Sequence, residues 1–177
     1  MITSCRSFLI TLAVAVFLLR GTAFAQATFT STGGRIMTMD SYTGDLLVKW
    51  TESGLLPDSI TSYTITGSST ATYACTTIGT TCEKSASGDL LDFATSATAN
   101  GTIRQSVAVP APSPGDCACF SGSLVLYSVS YGGSSAAPDL QICDDTNPGA
   151  GCVMIGAGYF SRTFCKLRSL QNCPPAP

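Results

Sequence analysis

The side chains that could perform acid–base chemistry in this protein are carboxylates, because its 177 residues contain no histidine. That absence excludes a histidine-based catalytic triad, a histidine general base and a histidine-containing zinc site within the chain. The remaining option is a glycosidase-like pair of acids, which would have to face each other across one cleft. The candidate acids are Asp40, Asp45, Glu52, Asp58, Glu83, Asp89, Asp92, Asp116, Asp139, Asp144 and Asp145.

Neither these acids nor the serines form a recognisable catalytic pattern. Most of the acids stand next to Gly, Pro or Ser, where aspartate usually caps a turn. Gly67-Ser-Ser69 and Gly133-Ser-Ser135 begin like a Gly-x-Ser-x-Gly nucleophile elbow, but each continues to an alanine, and no histidine can serve as the base. The sequence therefore predicts a protein that is not an enzyme and needs no cofactor.

An acidic stretch near the end of the chain offers oxygen ligands of the kind that calcium prefers. The calcium candidates are Asp139, Asp144 and Asp145, and their spacing matches no EF-hand loop. An acidic, cross-linked loop in water is the preferred interpretation, so we predict no metal site.

Nine cysteines supply the other reactive side chains, and one of them, Cys5, lies in the N-terminal segment treated below. A redox or zinc site is disfavoured, because Cys117-x-Cys119 is not a Cys-x-x-Cys motif and no second ligand pair has zinc spacing. An even number of cysteines behind an export signal indicates a disulfide framework. The eight expected partners are Cys75, Cys82, Cys117, Cys119, Cys143, Cys152, Cys165 and Cys173.

Spacing ranks some pairings of these cysteines. It favours Cys75–Cys82 and Cys143–Cys152, because each pair encloses a turn-rich loop. Cys117 and Cys119 are too close to bond each other without strain, so each is expected to bond elsewhere. The two C-terminal cysteines could pair together or reach those two.

The first 25 residues have the features of a secretory signal peptide. A short polar start carrying Arg6 is followed by an apolar run, Phe8–Leu19, and by an Ala-x-Ala pattern that ends at Ala25. The run is shorter than the roughly 20 residues that span a bilayer, although a retained anchor helped by Arg20 is the alternative. We therefore predict a signal peptide at 1–25 and a single domain at 26–177, secreted to the periplasm or the exterior.

The charge of the mature chain limits its partners. Removing Arg6 and Arg20 leaves seven basic against eleven acidic residues, a net charge of −4. No basic cluster is present to neutralise phosphates, which argues against nucleic acid and acidic lipid surfaces. No second long apolar segment follows the signal, so no membrane span is expected after cleavage. An unknown protein or a surface glycan remains as the expected partner.

Hydrophobic alternation with a period of two predicts β-strands along most of the mature chain. Leu46–Thr51 alternates, and Trp50 is expected to be a core residue. Ile60–Cys75 keeps one parity throughout, which favours one long strand, bulged at Gly67, over a hairpin. Its polar row of threonines and serines could dock a flat partner or ice, but the solvent side of a sheet explains it as well.

Later segments supply further strands and turns. Asn100-Gly101 lies between two alternating runs and predicts a β-hairpin; it also begins a glycosylation sequon that ends at Thr102. Leu124–Tyr131 predicts a strand, Leu140–Cys143 a short one, and Cys152–Cys165 a last hairpin. About seven short strands without an amphipathic helix predict an all-β fold, a two-sheet antiparallel Ig-like sandwich held by disulfides, with a small barrel as the alternative.

The segment from about Ser41 to Asp145 resembles a loosely defined group of small secreted bacterial proteins of uncharacterised function. The resemblance lies in Leu46–Leu55, Thr70–Cys75 with the cysteine that follows, Asn100–Ile103, Pro110–Gly115 and Val125–Tyr131. It implies export and a β-sandwich fold, and it supplies no catalytic residues. Cys119 and the cysteine-containing tail depart from that group.

These observations favour a non-catalytic exported module that binds a partner or serves as a structural protein of the cell exterior. A secreted inhibitor or effector of another protein is the first alternative. A loop closed by a disulfide would then act as a rigid wedge, because the cross-link already meets the entropy cost of ordering that loop. A carboxylate hydrolase is the second alternative. It would require two acids to face one cleft.

Overall fold

The computed structural model describes residues 28–30, 37–77, 79–132, 139–147, 149–155, 160–166 and 169–176. The predicted signal peptide and the Gly133-Ser-Ser135 segment lie outside these residues. Ten strands form two antiparallel sheets, and the one described helix is a 3-10 turn, Leu170–Asn172. The strands are β1 (Thr28–Thr30), β2 (Met37–Met39), β3 (Leu46–Ser53), β4 (Ile60–Cys75), β5 (Thr81–Ser96), β6 (Thr102–Val109), β7 (Leu124–Tyr131), β8 (Gln141–Asp144), β9 (Cys152–Met154) and β10 (Phe160–Thr163).

The smaller sheet, sheet A, is centred on β3. Strand β6 pairs with β3 along its whole length, while β2 and β1 share the opposite edge. The larger sheet, sheet B, is centred on β4, which pairs with β5 on one side and with β7 and β8 on the other. Strands β10 and β9 extend this sheet beyond β7 and β8. The predicted all-β, two-sheet antiparallel architecture is confirmed.

The long strand predicted at Ile60–Cys75 is confirmed with those bounds. Its inward parity is buried and carries Tyr63, Ile65, Ala71 and Tyr73, while the threonine and serine row is only half-buried on the outside. The irregularities fall at Ile65/Thr66 and at Thr72/Tyr73 instead of at the glycine between them. That glycine instead leaves room for Leu140, which a Cβ there would meet at 2.7 Å.

Both predicted hairpins are wrong, because the strands that flank each turn pair with other partners. Asn100-Gly101 forms a turn, yet β5 bonds to β4 and β6 bonds to β3, so the turn crosses from one sheet to the other. Strand β9 likewise bonds to β8, while β10 bonds to β7. Turn chemistry specifies a local reversal, but the burial of apolar faces decides which strands pair.

The core lies between the two sheets, and three buried tyrosines connect its layers by hydrogen bonds. The Tyr63 hydroxyl donates to Glu52, and the Tyr73 hydroxyl donates to the Pro112 carbonyl. The Tyr131 hydroxyl is within hydrogen-bond distance of the Val109 carbonyl on the facing sheet and of the Gly44 carbonyl in the loop before β3. A buried phenol that keeps a partner avoids the desolvation cost of an unpaired hydroxyl. These bonds fix the sheets against each other more specifically than apolar packing does.

Four disulfides are present: Cys75–Cys119, Cys82–Cys117, Cys143–Cys152 and Cys165–Cys173. The Cys143–Cys152 prediction is confirmed, and so is the pairing of the two C-terminal cysteines, one of the alternatives considered. The predicted Cys75–Cys82 bridge is wrong. Both cysteines instead hold the segment after the proline-rich connection against the end of the β4–β5 ladder. Within the described residues, no helix has the length and hydrophobicity needed to cross a bilayer.

We predict that Gly101→Ala destabilises the fold more than Gly79→Ala. Both glycines have nearly the same left-handed backbone, with φ of 66° and 64°. A Cβ at Gly101 would lie 2.1 Å from the Leu55 carbonyl oxygen, whereas a Cβ at Gly79 meets nothing within 4 Å. Backbone strain alone costs about 1 kcal/mol in each variant, and the clash raises the loss for Gly101→Ala to about 3 kcal/mol. Chemical denaturation checks this; equal losses would contradict the structure.

Candidate functional site

The predicted turn-capping role of the aspartates is visible in the loop between β2 and β3. Asp40 Oδ1 accepts the backbone N–H groups of Tyr42 at 2.7 Å and Thr43 at 2.9 Å. These bonds, the one from Thr43 first, hold the pKa of Asp40 below its usual value, and Arg162 adds to the effect. Asp45 Oδ1 accepts the N–H of Ala111 at 3.1 Å. Both carboxylates therefore serve as acceptors for backbone groups.

The calcium candidates are separated by the fold. Asp144 is buried, and its two oxygens accept the N–H groups of Thr146 and Asn147 at 2.9 Å and the Asn147 amide at 2.8 Å. Asp145 is exposed and accepts the Thr64 hydroxyl at 2.7 Å, while Asp139 lies at the other end of β8. Among the described residues, no three acidic or cysteine side chains gather to hold a metal.

A buried acidic cluster occupies one end of the core. Glu52 is fully buried, and its Oε2 accepts the Tyr63 hydroxyl at 2.5 Å. Burial raises the pKa of Glu52 to about 7; the Tyr63 hydrogen bond opposes this, and the neighbouring Asp144 adds to it. The rings of Trp50 and Phe93 pack around Tyr63 at 5.4 and 5.5 Å between centroids. Because Glu52 has no exposed surface, this cluster has no contact with a substrate, and its effect is on stability.

An open trough lies on the outer face of sheet A. It consists of two adjoining depressions of about 620 and 440 Å³. We define the trough by its lining residues, which come from β3, β6, β2 and the loop before β3: Lys49, Trp50, Thr51, Arg104, Gln105 and Ser106 in the larger part, and Thr38, Met39, Asp40, Ser41, Thr43, Asp45, Leu47 and Ala108 in the smaller part. The two parts adjoin because the Leu47–Ala108 pair precedes the Lys49–Ser106 pair in the same ladder.

The larger part of the trough is cationic. Lys49 and Arg104 are exposed, and the register places them diagonally across the β3–β6 ladder, since Lys49 faces Ser106 and Thr51 faces Arg104. Diagonal neighbours in a sheet are within reach of long side chains. The ion pair found in the described part of the chain joins Lys84 to Asp116, so neither trough cation is neutralised there.

The smaller part of the trough is acidic, because Asp40 and Asp45 line it. Arg162 reaches this end from β10, donating to the Met39 carbonyl at 3.4 Å, and offsets one of the two negative charges. The remaining charge makes this end of the trough negative overall.

The two acids of the smaller part bear on the hydrolase alternative. Two acids do face one depression, which is the arrangement that the hydrolase alternative requires. A glycosidase, however, needs one carboxyl with a raised pKa to protonate the leaving group. The pKa of Asp40 is lowered, and backbone N–H groups occupy one oxygen of each acid.

The sequence did not identify the trough. Alternation placed Lys49 on the outer face of its strand, but Arg104 joins it only through the pairing of β3 with β6, strands separated by 48 residues between Ser53 and Thr102. The Asn-Gly signal pointed to a β5–β6 hairpin instead. A search for an outward cation on each alternating strand would have found both residues without placing them together. Comparison of the chain with models of protein families, with curated proteins and with solved structures finds no match.

Proposed function

We propose that this protein is an exported, non-catalytic binding module with an Ig-like sandwich fold, and that it binds a glycan of the cell exterior in the trough. The observation that carries the proposal is the trough itself. Hydrogen-bonding side chains from two paired strands and from the loop before β3 line an open depression. Sugar hydroxyls need many such donors and acceptors, and rigid strands present them at little ordering cost.

Export is supported by the sulfur chemistry of the chain. Four disulfides use all eight cysteines of residues 26–177, and such frameworks persist in oxidising compartments. The N-terminal 25 residues carry the pattern of a signal peptide, and both features support a periplasmic or extracellular location. The mature surface is acidic overall, which agrees with a partner other than nucleic acid.

The proposal predicts that blocking the trough abolishes glycan binding. Ser106 is exposed on the trough wall, and Ser106→Trp would fill the larger depression with an indole. We expect at least a tenfold loss of affinity for any glycan that the purified protein binds, measured by calorimetry across an oligosaccharide panel. The matched control is Ser87→Trp, at an exposed position of β5 in the other sheet, which should keep full affinity.

Two outcomes would contradict this function. Equal affinity of both tryptophan variants would place binding outside the trough. Release of sugar products during the same titration, lost in Asp45→Asn, would support the hydrolase alternative. The inhibitor alternative retains its Cys143–Cys152 loop but loses the Cys75–Cys82 loop, whose cysteines are bonded to other partners. Inhibition of a protein target that survives Ser106→Trp would favour that alternative.

A further inference from the structure

The charges of the trough allow its ligand to be specified further. Lys49 and Arg104 stand at one end, and Asp40 and Asp45 at the other. Along β3, Asp45 and Lys49 are four residues apart, or about 13 Å at the rise of a β-strand. A ligand that spans both depressions therefore meets a positive field at one end and a net negative field at the other.

We propose that the trough binds an acidic glycan in which a uronic acid is joined to an uncharged sugar; this rests on the proposed function. The uronate carboxylate lies between Lys49 and Arg104, and the uncharged sugar lies over the acidic end. Each part of this assignment follows from a separate group of residues.

The cationic end fits a carboxylate for reasons of geometry and charge. The guanidinium of Arg104 presents a planar pair of N–H donors that matches the two oxygens of a carboxylate, and Lys49 adds a point charge from the neighbouring strand. Neither cation has an ion-pair partner in the described part of the chain, so binding an anion breaks no existing pair. Ser106, which is exposed and faces Lys49 in the ladder, supplies a hydroxyl for the ring.

The acidic end excludes a second anionic sugar. Asp40 stays charged because its lowered pKa keeps it ionised, and Arg162 compensates only one of the two carboxylates there. A polymer charged on every sugar would place an anion against this end and be repelled. An uncharged ring instead donates its hydroxyls to the second oxygens of Asp40 and Asp45, because the backbone N–H groups bind only Oδ1 of each acid.

Three tetrasaccharides test this charge pattern by calorimetry on the mature protein. The first alternates glucuronic acid with N-acetylglucosamine, the second contains only galacturonic acid, and the third contains only N-acetylglucosamine. We expect the alternating probe to bind at least tenfold more tightly than either of the others, and its affinity to fall with added salt. Tightest binding of the fully acidic or the neutral probe would overturn the proposal.

Variants that each remove one positive charge test whether Lys49 and Arg104 bind the carboxylate of the ligand. Lys49→Gln and Arg104→Gln should each weaken the alternating probe about tenfold and reduce its salt dependence, while leaving the neutral probe unchanged. The control is Lys166→Gln, an exposed cation near the C-terminal cystine, which should change neither. A different result would keep the proposed function but reject the acidic ligand. In that result, Ser106→Trp abolishes binding of the neutral probe, and neither Lys49→Gln nor Arg104→Gln changes the affinity of any probe.

Discussion

Replacing Glu52 by glutamine is expected to remove most of the pH dependence of stability between pH 4.5 and 7. Burial raises the pKa of this carboxyl from an ordinary value of 4.5 to about 7 in the folded protein. The folded state therefore holds a proton that the unfolded state has already released in this range. Stability from this group is fully present below pH 4.5 and is lost as the pH rises through 7, a change of about 3 kcal/mol.

The chain contains few groups whose titration would obscure this measurement. It has no histidine, and histidine is the group that ordinarily titrates in the same range. The pKa values of Asp40 and Asp116 are lowered, so the stability they contribute is lost only at acid pH, below the window. A fall in the free energy of unfolding between pH 4.5 and 7 is therefore assigned to Glu52.

Denaturant titrations at a series of pH values test the expectation. Glu52→Gln should be about as stable as the wild type at pH 4.5 and more stable at pH 8, because the amide is neutral throughout and still accepts the Tyr63 hydroxyl. Glu83→Gln is the matched control, since Glu83 is the other glutamate of the chain and is exposed on β5. A wild-type stability that is constant or rises across this range would show that Glu52 is not buried as described.

The sequence predicted individual strands better than it predicted their partners. Alternation alone correctly predicted which residues of β4 face inward and that Lys49 faces outward, because a half-buried strand buries every second residue. Pairing depends on which apolar faces meet in the core, and the Asn100-Gly101 turn shows the consequence. The same two-residue signal suits a hairpin or a crossing between sheets, and here the burial of Ile103 against sheet B selects the crossing.

The features that bear on function depend on strand pairing, which the sequence pattern did not predict. The trough, the cross-linked proline-rich segment and the Glu52–Tyr63 bond all join residues from strands that are distant in sequence. Of the eleven acids, the turn-capping interpretation was correct for Asp40 and Asp144, whose partners are their neighbours in sequence. The burial of Glu52 was not predicted, although a glutamate at an inward-facing position of an alternating strand indicates a buried carboxyl.

Removing the two nested disulfides together is expected to cost more stability than the sum of removing each one. Cys82–Cys117 lies inside the loop closed by Cys75–Cys119, with sequence separations of 35 and 44. While either bond remains, the other closes only a short additional loop in the unfolded chain. Each single removal, by paired alanine substitution, should therefore lower the free energy of unfolding by about 2.5 kcal/mol.

Loss of both bonds releases the whole segment, and the same chain-entropy relation gives about 6.5 kcal/mol. The excess over the two single losses is about 1.5 kcal/mol, which denaturant titration of the three variants can resolve. Strict additivity would contradict the nested arrangement. Thiol counting tests the pairing itself, since Cys75→Ala with Cys119→Ala should leave no free thiol. Cys75→Ala with Cys82→Ala should leave two, because Cys117 and Cys119 are too close to bond each other without strain.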